Sequence, residues 1–261
     1  HDLRMIKITL LGCGGSHGVP LVGNRWGECD PDDPRNRRRR PSVFVEWDGV
    51  NILIDTGPDL RVQLLDAEID RIDAVLYTHA HADHTHGIDD IRSIARLGKR
   101  CIPAYAEPEV IAQVQDKFSY IFRDSDTLAT LYPAVMEPRT FDGPFEVGDR
   151  TVVPFDQDHG ISRSTGFRFG PFAYSTDVVD LGDDAFQAPD GVEVWIVDCL
   201  RERPHPTHAH LKKTLSWIER IGTPRAITTH MNHQTDYETL AAKLPDGVEP
   251  GFDGMVIQIG A

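Results

Sequence analysis

Cysteine is scarce in this chain of 261 residues: the four, Cys13, Cys29, Cys101 and Cys199, are dispersed and form no CxxC pair. That excludes a thiolate-rich zinc ribbon and a dense disulfide framework. Positive charge is also in short supply. Lys and Arg number 27 against 41 Asp and Glu, a formal net charge of −14. So acidic a protein repels polyanions on average, which argues against binding to polymeric nucleic acid. No apolar run approaches the ~18 residues of a membrane span, so no membrane partner is expected. No basic segment followed by an apolar core marks a signal peptide. The expectation is a cytoplasmic protein in a reducing compartment, with its native start at Met5 and His1 to Arg4 ahead of it. Histidine, by contrast, is plentiful at 12 residues, and its placement carries the functional reading.

Hydrophobic periodicity sketches the frame. Ile6, Ile8 and Leu10 alternate as in a half-buried strand that ends in Gly12-Cys13-Gly14-Gly15. Residues 42–47 and 50–55 read as strands joined by a tight turn at Asp48-Gly49. Residues 73–77 form a short buried strand. Ile88, Ile91, Ile94, Ala95 and Leu97 recur at helical spacing up to a stop at Gly98, and Pro108 opens a further helix. In the second half, residues 151–155, 165–169, 172–175, 192–197, 226–229 and 255–259 read as strands. A helix carrying Leu211, Leu215 and Ile218 is expected to begin near Thr207, and another spans 237–244. Strands followed by strand–helix alternation, twice over, point to two packed sheets with helices outside. Candidate ligands come from both halves, so a single domain over 1–261 is expected.

The segment Thr78-His79-Ala80-His81-Ala82-Asp83-His84 places three imidazoles and a carboxylate at the end of a buried strand. Imidazole and carboxylate suit Zn²⁺, Mn²⁺ or Fe, and no thiolate is adjacent. In extended backbone His79 and His81 point the same way. A helix start near His84 turns Asp83 and His84 towards a second point, so one loop can serve two metals. His159, Asp177 and His230 each follow a strand at a polar break. A lone His or Asp in such a place is often structural; three in this rhythm after HxHxDH are not.

The chain resembles the metallo-β-lactamase superfamily over nearly its whole length. The matching motifs are the HxHxDH loop, His159, Asp177 and His230, in that order. The resemblance implies an α/β fold of the αββα sandwich type, with two divalent metal ions, zinc or manganese, between the sheet edges. It implies that His79, His81 and His159 hold one ion, that Asp83, His84 and His230 hold the other, and that Asp177 bridges both.

Three further segments resemble the PhnP-type cyclic phosphodiesterases, cousins of the tRNA 3′-processing endonucleases. They are Gly12-Cys13-Gly14-Gly15-Ser16-His17-Gly18-Val19-Pro20, the stretch from Asp33 through Arg35, Arg37, Arg38, Arg39 and Arg40 to Ser42, and His205-Pro206-Thr207-His208. The resemblance implies hydrolysis of a small, cyclic phosphodiester, such as a phosphoribosyl cyclic phosphate or a nucleotide, by a hydroxide held between the ions. Asp83 then orients the hydroxide and His208 assists the leaving oxygen. A place for His208 in the first helical turn adds free N–H groups and a dipole that favour phosphate. His17 and His205 are candidate substrate contacts. A homodimer is the default from the resemblance.

PhnP itself adds a structural zinc on three early cysteines and a late histidine. Only Cys29 and His233 match here, too few for a closed site, so no structural zinc is expected and His233 reads as a hydrogen-bonding residue. The arginine run stands beside Asp30, Asp32 and Asp33 and reads as a locally neutralised, solvated loop rather than a phosphate grip. The glycine segment lacks the GK[ST] ending of a nucleotide loop and reads as a tight turn. Two rivals stand: a thioester or lactone hydrolase on the same fold, and a metal-dependent nucleotide-binding accessory protein without turnover.

Overall fold

Asp48 and Gly49 have φ of 46° and 85°, as a two-residue hairpin turn of the I′ kind requires. They join two strands in the register Val43↔Ile54 to Trp47↔Val50. The computed structural model describes residues 5–123 and 133–260. His1 to Arg4, expected ahead of the native start, lie outside the described residues.

In chain order the strands are β1 (Met5–Gly12), β2 (Ser42–Trp47), β3 (Val50–Ile54), β4 (Ala74–Leu76), β5 (Ile102–Ala106), β6 (Met136–Thr140), β7 (Phe145–Val147), β8 (Arg150–Asp158), β9 (Arg163–Phe169), β10 (Phe172–Ser175), β11 (Val194–Asp198), β12 (Arg225–Thr229), β13 (Val248–Pro250) and β14 (Met255–Gly260). The α-helices are α1 (Leu60–Asp66), α2 (Ala82–Thr85), α3 (Ile91–Gly98), α4 (Pro108–Lys117), α5 (Leu211–Ile221) and α6 (Tyr237–Ala241). One sheet has the order β14-β1-β2-β3-β4-β5-β6 and the other β13-β12-β11-β10-β9-β8-β7.

Alternation along the strands builds the layers. Ile6, Ile8 and Leu10 of β1, Val43 and Val45 of β2, and Ile52 and Ile54 of β3 share one core with Phe167, Phe169, Phe172, Tyr174, Ile196 and Ile227 of the second sheet. The intervening Phe44, Leu53 and Val75 pack outward against Leu60 and Leu64 of α1, Ile91 and Ile94 of α3, and Ile111 and Val114 of α4. On the far side Ala173, Trp195 and Ala226 pack against Trp217 and Ile218 of α5. Each such aliphatic or aromatic side chain withdrawn from water contributes about 1.5–3 kcal/mol. The result is helix, sheet, sheet, helix, the αββα sandwich.

Strand direction places the site. β3 and β4 are parallel, as are β10, β11 and β12. β8 and β10 both run antiparallel to β9, and β1 and β3 both run antiparallel to β2. The C-terminal ends of these strands therefore fall along matching sheet edges, where loops gather functional groups.

Several expectations are corrected. Gly98 does not stop α3; it is the last helical residue, and Lys99 takes the left-handed turn with φ of 50°. The helix expected from Thr207 begins at Leu211 with His210 as its N-cap, so His208 lies in the preceding loop. The helix-dipole argument for His208 falls with that. β5, β6, β7 and β13 carry little periodic signal. β6 reads Met-Glu-Pro-Arg-Thr, buried only at Met136, and as an edge strand it tolerates Pro138. Among the described residues no helix is long and apolar enough to cross a membrane.

Candidate metal centre

The loop after β4 turns as its spacing predicts. His79 and His81 converge, with His79 Nε2 2.9 Å from His81 Nδ1. His81 then N-caps α2, whose first turn carries Asp83 and His84 in another direction. His159 follows β8, Asp177 follows β10 and His230 follows β12. Potential ligand atoms of His79, His81 and His159 cluster together, as do those of Asp83, His84, Asp177 and His230.

Asp177 lies between the two groups. Its Oδ1 is 3.8 Å from His79 Nε2 and 3.6 Å from His159 Nε2. Its Oδ2 is 3.0 Å from His84 Nε2 and 3.3 Å from His230 Nε2. Asp83 Oδ2 is 3.3 Å from His84 Nε2 and 3.7 Å from His230 Nε2. Three of these buried atoms, Asp83 Oδ2, His84 Nε2 and His230 Nε2, lack a hydrogen-bond partner. Leaving such atoms unpaired costs about 1–3 kcal/mol each, and a divalent cation satisfies them. The donor set therefore fits hard-to-borderline divalent ions, in keeping with the divalent-metal binding the fold implies.

Groups behind the ligands fix their ring orientation. Asp55 Oδ2 sits 2.7 Å from His84 Nδ1, and Thr78 donates to Asp55 through both backbone N–H and hydroxyl. His159 Nδ1 donates to Thr207 O at 2.7 Å, which leaves Nε2 as the free lone pair. Asp55, Asp177 and His230 all adopt left-handed φ, 63°, 54° and 58°, a strained backbone for non-glycine residues that is typical of functional positions.

Charge is balanced within the cluster. Burial opposes ionisation of Asp177, but His230, His84 and His79 outweigh it and hold the carboxyl well below the usual range. Burial likewise opposes ionisation of Asp83, and His84 and His230 overcome it. Burial lowers His79, His81 and His159, which keeps these imidazoles neutral. In His84 burial is overridden by Asp177, Asp83 and Asp55, which raise its pKa. In His230 burial is overridden chiefly by Asp177 and Asp83, which raise it to about 9.

His208 stands beside this cluster, 7% exposed. Its ring stacks on His230 at 4.6 Å and meets His159 edge-on at 4.9 Å. Its Nδ1 is 3.1 Å from Asp198 Oδ2, which also accepts Val178 N–H. Asp198, fully buried at the end of β11, was not singled out from sequence as a site residue. Nor was Asp55. The signal was there: an apolar strand that closes on a single carboxylate, Val-Trp-Ile-Val-Asp198 and Asn-Ile-Leu-Ile-Asp55.

A cavity of about 350 Å³ opens over the cluster, lined among others by His17, His205, His208 and His233. The two candidate substrate contacts, His17 and His205, thus both line it. His233 faces the cavity, and Gly27 makes room for it: a Cβ there would lie 2.5 Å from His233 Cδ2. Cys29 instead donates to Thr235 O, so the two residues matched to the structural zinc serve different ends. The arginine run is only partly the solvated loop expected. Arg35 pairs with Asp33 and Glu238, Arg39 with Asp66 and Arg40 with Asp59. Arg38, however, is 1% exposed. It ties Asn36, Asn232 O and Thr235 O together behind the cavity wall.

Residues 50–231 match the Beta-lactamase superfamily domain. The chain belongs to that superfamily. Its metallo-β-lactamase sandwich superposes with a TM-score of 0.89 on the crystal structure of a new diphosphatase from the PhnP family, at 34% identity over 99% of this chain and 98% of the other. An octanoyltransferase of Porphyromonas gingivalis is 34% identical over 253 residues, 96% of this chain but 51% of that protein. A ribonuclease Z of a Bradyrhizobium strain is 29% identical over 140 residues, 52% of this chain and 46% of the other. The chain thus spans about half the length of these curated relatives.

Proposed function

We propose that this metallo-β-lactamase superfamily protein is a metal-dependent hydrolase of small phosphodiesters, cyclic ones included. The observation that carries the reading is His208, held by buried Asp198 against the metal-ligand cluster at the floor of the cavity. His79, His81 and His159 would hold one ion, Asp83, His84 and His230 the other, and Asp177 would serve both. Bound there, divalent cations supply a lowered pKa for water and polarisation of the phosphoryl oxygens.

The chain's own groups do the rest. Asp83, whose Oδ2 would face the ion, would accept a hydrogen bond from the attacking water on its other carboxylate oxygen and so orient it. Asp198 accepts Nδ1–H of His208, which leaves Nε2 as the nitrogen that serves the cavity. With both ring nitrogens protonated, Nε2 donates to a phosphoryl oxygen and passes its proton to the departing alkoxide, and the proton given up by the attacking water replaces it. The 34% identity with a PhnP-family diphosphatase over the full chain favours a second reading, in which the departing oxygen belongs to a phosphate and the bond cleaved is a diphosphate.

The test is hydrolysis of bis(p-nitrophenyl) phosphate, a diphosphate diester, a thioester and a lactone by protein loaded separately with Zn²⁺ and Mn²⁺. Phosphodiester turnover that falls about 10²–10³-fold in His208→Ala, with metal content unchanged, is the expected result. Turnover confined to the thioester or lactone overturns the phosphoryl reading. Nucleotide retention without turnover on any substrate supports the accessory-protein reading instead.

A further inference from the structure

Beyond the metal ligands and His208, the cavity presents few kinds of chemistry. His17, His205, His233 and Asn232 supply hydrogen-bonding groups, and Leu21 and Ile161 supply apolar ones from two separate loops. Ile161 is 90% exposed on the turn between β8 and β9. Among the described residues, no Lys or Arg lines the cavity, and residues 124–132 contain neither by sequence.

Several basic side chains nearby are committed elsewhere, and Arg25, whose backbone pairs with Leu21, is exposed and does not line the cavity. Lys117 donates to Ala80 O. Arg201 donates to the carbonyls of Arg203 and Pro204 and to Gln234. Arg40 is paired with Asp59, and Arg37 lies over the Trp26 ring. Burial lowers the His205 pKa further, which keeps that imidazole neutral. A phosphate bound remote from the metal cluster would enter a partly enclosed space without a counter-charge. Moving an anion from water into such a space is unfavourable. Where a side chain takes up a phosphate, the planar fork of an arginine is a common solution.

Resting on the phosphodiester reading, we propose that the protein selects phosphodiesters whose flanking group is a neutral nucleoside, and discriminates against substrates with a second, remote phosphate. The sugar hydroxyls meet His17, His205, His233 and Asn232, and the base lies against Leu21 and Ile161. At about 350 Å³ the cavity is near the lower end of small-molecule sites, room for one nucleoside rather than a polymer. This narrows the substrate class expected from the PhnP resemblance: a phosphoribosyl cyclic phosphate with a further phosphate group is disfavoured.

The experiment compares kcat/KM for adenosine 2′,3′-cyclic phosphate and for the same compound bearing a 5′-phosphate, on metal-loaded protein, with bis(p-nitrophenyl) phosphate alongside. A preference of about tenfold or more for the unphosphorylated compound is expected. Ile161→Arg, at an exposed position that tolerates the change, should shrink that preference by raising kcat/KM for the 5′-phosphorylated compound. Equal or inverted preference, with bis(p-nitrophenyl) phosphate still hydrolysed, overturns the inference and leaves the phosphodiester reading intact. An unchanged preference in Ile161→Arg overturns the placement of the nucleoside against that loop. Absence of turnover on every phosphodiester overturns both the inference and the reading beneath it.

Discussion

His208 and Asp198 lie ten residues apart, with no motif spacing to link them, and meet only because β11 delivers the carboxylate to the strand end. The proposed role makes the pair one unit: the carboxylate fixes which ring nitrogen faces the cavity. Asp198→Asn should therefore slow phosphodiester hydrolysis by about 10–100-fold with metal content retained. Adding His208→Ala to that background should cost far less than His208→Ala alone costs in the native protein, and steady-state kinetics on the four proteins measures the coupling. Additive losses would show that Asp198 acts on something other than His208. That the HxHxDH residues gather in one place with His159, Asp177 and His230 was legible in the sequence because the motif is local, and because those three each follow a strand at a polar break. The left-handed φ of Asp55, Asp177 and His230 was not legible. Nothing in an Asp or His reports a backbone angle that only tertiary packing imposes.

At the scale of elements, the strands with clean alternation were readable and those at sheet edges were not. Helix starts were less secure: α5 was expected to begin near Thr207, whereas the Thr207 carbonyl is engaged with His159 and the helix starts only after an extended His210. The N-terminus of α6 behaves as capping rules predict. Asp236 accepts the Thr239 N–H at 2.9 Å, and its other oxygen accepts Asp30 N–H and Asn36 Nδ2. The cap thus fastens the loop that carries Arg38 to the segment after His230. Burial raises the Asp236 pKa, but these hydrogen bonds outweigh it and lower the value to about 2. A carboxyl depressed on folding contributes stability that is present above its unfolded pKa near ~4 and lost as pH falls towards 2. Asp236→Ala should lower stability by about 1–2 kcal/mol at neutral pH, and the gap to the native protein should close as pH falls from 4 to 2. Asp236→Asn, still a competent cap, should keep most of the neutral-pH stability and show no such pH dependence. Denaturant unfolding across that range checks both.

For the whole molecule, the decisive feature is that the ligand cluster straddles two sheets. His79, His81, Asp83 and His84 hang from the end of β4, while His159, Asp177 and His230 hang from β8, β10 and β12. An ion held by His79, His81 and His159 joins the sheets, and so does one held by Asp83, His84 and His230. Metal is then a cross-link across the main core as well as a reagent. Binding to the native state alone stabilises it by RT ln(1 + [L]/Kd), about 4 kcal/mol per site at a thousandfold excess over Kd. Chelation should therefore lower Tm markedly, and zinc or manganese should restore it in a concentration-dependent way. Asp177→Ala removes the one carboxylate that faces both clusters, so its Tm should respond weakly to metal and its bound metal should fall for both positions together. His159→Ala removes a ligand of the His79 and His81 group and leaves Asp83, His84 and His230 in place, so it should lose about one equivalent, with part of the thermal response kept. Calorimetry paired with elemental analysis distinguishes the two patterns. Equal loss in both variants would mean that the two positions fill as one unit, held jointly by ligands from both sheets.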